Sequence, residues 1–128
     1  MSKKTVSEFI NELTTLFPEI SAEVLDEDIE GLISLQIGCF RRYTQNAIDH
    51  NQLQTVSKCF RFAESCIDSV DFEVENSIAI SWAARIKFEE DQNNLYSLLP
   101  PKVKAVRQGL LEAYDKAERS SRHKKPDK

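Results

Sequence analysis

The sequence predicts an all-α protein, and its composition and hydrophobic pattern are the two observations that predict it. With 3 Gly and 4 Pro in 128 residues, the chain has few of the residues that close the tight turns of β-sandwiches and barrels. Its apolar residues instead recur three and four positions apart, which places them on one face of a helix. A chain of this length with 41% apolar residues has the size of one compact domain.

From these observations we expect one helical domain over residues 1–119 and a basic, flexible tail over residues 120–128. The tail has no apolar residue to bury. The connections between the predicted helices are short, so consecutive helices should be antiparallel neighbours. We therefore expect about five to six helices stacked as helical hairpins, either as an ARM/HEAT-like α-α superhelix or as an irregular bundle.

The first predicted helix begins after Thr5 and ends near Phe17. Thr5 and Glu8 have the spacing of a capping box, in which each side chain satisfies a backbone N–H group of the first turn. Pro18 should end the helix because its ring disfavours the helical conformation in the preceding residue. The apolar stripe of this helix consists of Val6, Phe9, Ile10, Leu13, Leu16 and Phe17.

The second and third helices are predicted over about residues 29–48 and 52–69, separated by the polar residues Asp49, His50 and Asn51. The second has the apolar residues Leu32, Ile33, Leu35, Ile37, Cys39, Phe40, Tyr43, Ala47 and Ile48. The third has Leu53, Val56, Cys59, Phe60, Ala63, Cys66, Ile67 and Val70. Both sets follow the helical spacing.

The fourth helix should begin at Asp71, a good N-cap residue, and reach about Phe88. Residues 77–84 contain no charge over two turns, so we expect this helix, with Ile78 and Trp82, to be surrounded by the others.

A short helix over residues 93–99 and a final helix over about 101–119 complete the prediction. Pro101 suits the first turn of that last helix. Its expected buried stripe is Val103, Val106, Leu110, Leu111 and Tyr114.

The charge distribution indicates a partner-binding surface. The net charge is −4, but residues 1–40 have 8 acidic residues and 2 lysines, a local net charge of −6. This balance argues against a large nucleic-acid interface and favours a basic partner, whose association acidic residues accelerate. The residues expected to bind such a partner are Asp26, Glu27, Asp28 and Glu30.

A second set of charged residues supports an alternative interpretation. It consists of Arg41, Arg42, Lys58 and Arg61. These side chains, with the basic tail, would suit a small anion, an acidic partner or a nucleic acid.

The sequence contains no recognisable catalytic or metal-binding motif. There is no glycine-rich phosphate loop and no G-x-S-x-G nucleophile motif. The start of a calcium loop over residues 26–31 fails at its twelfth position, where Ile37 replaces the required bidentate carboxylate. The three cysteines, Cys39, Cys59 and Cys66, lie on apolar stripes and should pack as small hydrophobic residues. We therefore expect no enzyme activity, metal or cofactor.

The expected compartment is the cytoplasm. No apolar run approaches the ~20 residues that cross a bilayer, and no apolar stretch follows Lys3 and Lys4 as it would in a secretory signal. An odd number of cysteines also disfavours a disulfide framework. The pattern leaves the oligomeric state open.

Residues 71–82 (DFEVENSIAISW) and 95–103 (LYSLLPPKV) resemble a family of small bacterial all-helical proteins. In that family a V-x-N-A-I-x-x-S-F-L helix precedes an L-L-G/P-P step into the last helix, and the resemblance covers residues 6–115. Ser77 replaces the usual Ala, and Trp82 with Ala83 replaces Phe-Leu; both are changes in packing.

The resemblance implies an ARM/HEAT-like fold. Through its similarity to small proteins that accompany bacterial toxins, it also implies an immunity role. We accordingly expect a non-catalytic binding protein whose partner is a basic protein, such as a toxin domain. An enzyme with an unrecognised site and a ligand or nucleic-acid binder are the alternatives.

Overall fold

A computed structural model describes residues 3–123 of the chain, and the side chains of residues 3–120. Within that part the protein is all-α, as predicted, and the only β-type pairing described is an isolated bridge between Lys4 and Val70. The helices are α1 (Val6–Leu16), α2 (Ser21–Val24), α3 (Ile33–Asp49), α4 (Leu53–Cys66), α5 (Phe72–Ile78), α6 (Asn93–Tyr96) and α7 (Pro101–His123). A 3₁₀ turn (Pro18–Ile20) joins α1 to α2, and a π-helical turn (Ala79–Ala83) follows α5.

The beginning of α1 confirms the local prediction. The Thr5 hydroxyl accepts from the backbone N–H of Glu8, and the Glu8 carboxylate accepts from the backbone N–H of Thr5. The helix ends before Pro18, as the effect of proline on the preceding residue requires. The predicted N-cap Asp71 occupies the position before α5, but its side chain makes no capping hydrogen bond.

Aromatic rings from four parts of the chain fill the centre of the fold. Phe17 contacts Phe40 and Phe62 with centroids 5.3 and 5.6 Å apart, and Phe40 stacks on Trp82 at 5.5 Å. Trp82 and Ile78 are buried, as predicted, and so are the three cysteines. Because these rings come from α1 or its end, α3, α4 and the π-helical turn, one cluster joins most of the domain.

Two predicted helices have different boundaries from those expected. The second predicted helix begins at Ile33 rather than near residue 29, because Gly31 adopts φ +81°, a left-handed conformation that interrupts a helix. The fourth does not reach Phe88, since α5 ends at Ile78 and the helical chain ends with the π-helical turn.

Within the uncharged residues 77–84, the expectation that the fourth helix is buried on all sides is wrong at Ile80. Ile80 is 41% exposed, because the π-helical turn packs on α3, α5 and α7 and leaves another side uncovered. In the predicted second helix, Leu32 and Leu35 are also exposed.

The predicted buried stripe of the last helix is only partly correct. Val103 is buried and Val106 is half-buried, but Leu111 and Tyr114 are 40% and 48% exposed. The beginning of α7 packs on α4 and the π-helical turn, whereas the described side chains from Leu111 to residue 120 are exposed. The helix reaches His123, four residues beyond its predicted end; the rest of the predicted tail lies outside the described residues.

None of the helices described is long and apolar enough to span a lipid bilayer.

Candidate functional site

A groove of about 490 Å³ lies between α1 and the segment that connects α2 to α3. We call residues 25–32 of that segment the acidic connector. The residues that line the groove are Val6, Ser7, Ile10, Asn11, Thr14, Leu25, Glu30, Gly31 and Gln36. Three of them are aliphatic, one is a carboxylate, and the others are glycine or uncharged polar residues. We call this site the connector groove.

The α1 wall of the groove follows from the amphipathic pattern of that helix. Phe9 and Leu13 face the core with no exposed surface, and Ile10, 9% exposed, lies at the edge of the buried stripe. Ser7, Asn11 and Thr14 are spaced at four and three residues, so they share the adjacent face. The groove therefore has an apolar edge beside a row of small polar side chains.

The connector wall is built from turns rather than from a helix. The Asp26 carboxylate accepts from the backbone N–H of Asp28 at 2.8 Å, and the Ile29 N–H donates to the Asp26 carbonyl at 3.1 Å. Ile29 is half-buried against the core and anchors the segment. Leu25, by contrast, is 50% exposed. The connector thus contributes the apolar side chain of Leu25 to the wall of the groove.

The acidic residues predicted to bind a partner surround this wall. Asp26, Glu27, Asp28 and Glu30 are all exposed, and Glu30 lines the groove itself. The ion pairs found in the described part of the chain involve other residues. The structure therefore places these four carboxylates on one turn-rich segment, and none of them forms an ion pair with a described residue.

Gln36 of α3 lines the same groove and is 2% exposed. Its Nε2 donates to the backbone carbonyl of Val24 at 3.0 Å. Since a carbonyl can only accept, this bond fixes the orientation of the amide group. The second polar atom of the Gln36 side chain is then the acceptor Oε1. That oxygen is buried and has no hydrogen-bond partner among the described residues. A buried acceptor without a donor costs about 1–3 kcal/mol.

Internal contacts occupy two of the four basic residues singled out from the sequence. Arg42 forms an ion pair with Glu23 at 3.2 Å. Lys58 donates to the Leu16 carbonyl at 2.7 Å, and its Nζ lies 4.8 Å from the centre of the Phe17 ring. The first contact joins α3 to α2, and the second joins α4 to the end of α1.

The other two basic residues have different surroundings. Arg41 lies near Arg85 as well as Arg42, and burial together with their positive charges lowers its pKa. Arg61 donates to the hydroxyl of Ser57 on its own helix at 2.8 Å. The structure thus places Arg41 beside Arg42, whereas Lys58 and Arg61 of α4 have separate hydrogen-bond partners.

Tyr43 and Glu19 form a hydrogen-bonded pair near the end of α1. The Tyr43 hydroxyl donates to Glu19 at 2.9 Å. Burial, followed by this bond, raises the pKa of Tyr43 to about 12. The pKa of Glu19 is lowered by a hydrogen bond to its own backbone and then by the tyrosine. The pair joins the 3₁₀ turn to α3.

The cysteines and histidine supply no nucleophile at the connector groove. Burial raises the pKa of Cys59 and of Cys66 to about 11, so both remain neutral thiols near pH 7. The Nδ1 atom of His50 lies 2.8 Å from the Asn46 carbonyl, at the end of α3. In the described part of the chain, no three histidine, cysteine or acidic side chains are grouped as metal ligands would be.

Sequence reasoning identified the acidic residues of this region but missed the groove and Gln36. One signal was present in the sequence. Gln36 falls on the buried stripe of α3 with Ile33, Ile37 and Phe40, at helical spacings of three and four residues. A polar residue at such a position requires a hydrogen-bond partner.

A family model described as a domain of unknown function (DUF7674) matches residues 10–118. The match includes the acidic connector, Gln36 and every helix from α3 to α6. The chain matches no curated protein and no solved structure.

Proposed function

We propose that this chain, which belongs to the DUF7674 family of domains of unknown function, is a non-catalytic protein-binding module that binds a basic partner. The observation that carries the proposal is the connector groove, whose three aliphatic residues lie beside the acidic connector. The four exposed carboxylates of that connector, of which Glu30 lines the groove, have no ion-pair partner in the described chain. An apolar centre with a charged edge is the usual anatomy of a protein interface.

Electrostatics favours a basic rather than an acidic or neutral partner. Unpaired carboxylates produce a negative potential that accelerates the approach of a positively charged surface and disfavours a negatively charged one. Some of the basic residues that would support the opposite choice already have partners within the chain, as Arg42 has in its exposed ion pair with Glu23. The acidic connector is therefore the better-supported contact surface.

The lining of the groove supports binding rather than catalysis. Glu30 is its one ionisable side chain, and general acid–base chemistry needs a second group to return or receive the proton. The hydroxyl of Thr14 is engaged with the Ile10 carbonyl at 2.9 Å. Neither hydroxyl of the groove has a histidine beside it to act as a base.

The resemblance to proteins that accompany bacterial toxins supplies a specific form of this proposal. The partner would be a basic toxin domain of a bacterial host, bound in the cytoplasm by this chain acting as its immunity protein. The packing of α1 on α2 and of α3 on α4 supports an ARM/HEAT-like stack of hairpins, a fold type that presents rigid binding surfaces.

A charge-reversal experiment tests the proposal. The connector variant contains Asp26→Lys, Glu27→Lys, Asp28→Lys and Glu30→Lys in the full chain. The control variant contains four reversals at other exposed acids without ion pairs and has the same net charge; its substitutions are Glu73→Lys, Glu89→Lys, Glu90→Lys and Asp91→Lys. Circular dichroism establishes that both variants are folded.

Each protein is immobilised and used to capture partners from its host, and the captured basic protein is then purified for calorimetry. We expect the wild-type and control proteins to bind it with similar Kd values that weaken with salt. The connector variant should bind at least tenfold more weakly. Equal binding by the connector variant, or capture of no basic protein, would contradict the proposal.

The alternative function, binding of an anion or nucleic acid through Arg41, Arg42, Lys58 and Arg61, has less support from the contacts described above. An electrophoretic mobility-shift assay separates the two. Salt-dependent retardation of single-stranded or double-stranded DNA or RNA by the wild-type chain, lost on substitution of Arg41 and Arg61, would replace the first proposal.

A further inference from the structure

The unpartnered oxygen of Gln36 restricts what the connector groove binds. Gln36 is 2% exposed and lines the groove, and its Nε2 is already bound to the Val24 carbonyl. Its Oε1 can only accept a hydrogen bond. A ligand that supplies an N–H or O–H group to this oxygen therefore removes a penalty that the free protein bears.

We infer that the connector groove binds an arginine side chain of the basic partner, whose guanidinium donates to Gln36 Oε1 and pairs with Glu30. The inference rests on the proposed function, because it names the group of the partner that enters the groove. The methylene stem of the arginine packs on Ile10 and Leu25, the aliphatic residues of opposite walls.

The chemistry of the two acceptors selects arginine over other donors. A guanidinium has five N–H donors in a planar fork, so one group can serve an amide oxygen and a carboxylate together. It is also less strongly hydrated than the ammonium of lysine, which lowers the cost of entering a groove with apolar walls. A neutral donor would satisfy Gln36 and could hydrogen-bond to Glu30, but it would lack the attraction between opposite charges that a guanidinium adds.

Entry of the ligand requires a small movement of the groove wall. Oε1 of Gln36 is shielded from water in the unliganded chain, so a side chain in the wall must move aside. Leu25 is half exposed and belongs to the connector, which is held by turns rather than by a regular helix. Its displacement exposes little additional core, because the anchor of the connector is Ile29.

The experiment is a titration of the isotope-labelled full chain with n-butylguanidinium, followed by amide NMR. We expect saturable shifts of the Gln36 side-chain NH₂ and of the backbone amides of Leu25 and Gly31. Two matched probes separate the contribution of the N–H donors from that of the positive charge. The n-butylurea probe keeps planar N–H donors without charge, and n-butyltrimethylammonium keeps the charge without donors; both should bind at least fivefold more weakly.

Variants identify the two acceptors. Glu30→Gln should weaken n-butylguanidinium binding about threefold, the size expected for one partly exposed ion pair. Gln36→Met, which keeps the length of the side chain but removes the oxygen, should weaken it about tenfold. Glu27→Gln changes a connector residue that does not line the groove and should have no effect.

Equal binding of either control probe, unchanged affinity in the Glu30→Gln variant, or shifts confined to other surfaces would overturn the inference. Because Gln36→Met also removes the bond to Val24, the Glu30→Gln variant provides a test that does not depend on a core substitution. Loss of partner capture in the connector variant, without any response of Gln36 to the probe, would leave the proposed function standing and reject the arginine. A response of Gln36 with unaltered partner capture would reject the proposed function, and with it the partner's arginine, and would leave only a guanidinium site at the groove.

Discussion

The indole Nε1 of Trp82 donates a hydrogen bond to the Oγ1 of Thr44 at 2.9 Å, and both residues are fully buried. The Thr44 hydroxyl donates in turn to the Phe40 carbonyl at 2.8 Å. The Phe40 ring stacks on the indole with an interplanar angle of 10°. This arrangement joins α3 to the π-helical turn and satisfies the one polar atom of the tryptophan, as buried polar groups require.

Substitution of Thr44 by Val should destabilise the protein, because it leaves Nε1 of Trp82 without an acceptor in the core. We expect the free energy of unfolding to fall by about 1–3 kcal/mol. In a Trp82→Phe background, which lacks the donor, the same substitution should cost about 1 kcal/mol less. Urea denaturation followed by circular dichroism measures all four proteins. Additive effects of the two substitutions would show that the hydrogen bond contributes nothing.

The carboxylate of Glu64 on α4 caps the beginning of α7. It accepts from the backbone N–H groups of Lys102 at 3.1 Å and Val103 at 2.9 Å, which have no partner within their own helix. Glu64→Ala should therefore lower the free energy of unfolding by about 1–2 kcal/mol. Glu112→Ala, an exposed acid on α7, is the control and should change stability by less than about 0.5 kcal/mol. Equal effects in denaturation experiments would exclude the cap.

Two leucines near the same end of the chain should respond in opposite ways to truncation. Leu95 is fully buried, whereas Leu111 is 40% exposed. Leu95→Ala should cost about 2–5 kcal/mol because it removes packed methyl groups and leaves a cavity. Leu111→Ala should cost less than about 0.5 kcal/mol. Thermal or urea unfolding of the two variants provides the comparison, and a large loss in the second would place Leu111 in an interface or core.

Stability should fall on the alkaline side of pH 9. Burial raises the pKa of Cys59 and Cys66 from 9.0 to about 11. Between these values the unfolded chain releases the thiol protons while the folded chain keeps them, so rising pH favours unfolding. This stability is fully present below pH 9 and should decrease by about 1 kcal/mol per thiol by pH 10. Tyr43, whose pKa rises from 10.0 to about 12, contributes mainly above that pH.

Urea denaturation at pH 7 and pH 10 measures this dependence. The Cys59→Ala, Cys66→Ala double variant should be less stable at pH 7, because it has lost packed sulfur atoms. Its further loss between the two pH values should nevertheless be smaller than that of the wild-type chain. The same loss in both proteins would attribute the alkaline effect to other groups.

Local features of the fold were predictable because they depend on residues within one helical turn. The capping box of Thr5 and Glu8 and the end of α1 before Pro18 are both found where the sequence places them. The predicted start of α3, near residue 29, was wrong, because the helix begins at Ile33. Gly31 could have indicated this boundary, since glycine adopts the positive φ that other residues avoid. Leu32 and Leu35 follow the helical spacing and were therefore assigned to the buried stripe, but both are exposed, and Leu32 precedes the first residue of α3.

The candidate site was predictable only in its charge. The four carboxylates of the acidic connector are visible as a local excess of acidic residues. The groove beside them requires α1 to lie across the connector, and Gln36 becomes significant only when its bond to Val24 leaves Oε1 unpartnered. These are relationships between residues more than ten positions apart.

By itself, the sequence determined the all-α class, the approximate order of the helices and the acidic character of the connector. Tertiary structure decided which apolar faces are covered, burying Val103 but exposing Tyr114 on the same predicted stripe. It also created the connector groove. The physical reason is the range of the interactions: helical hydrogen bonds and caps act within about four residues, whereas burial depends on which distant surfaces pack together.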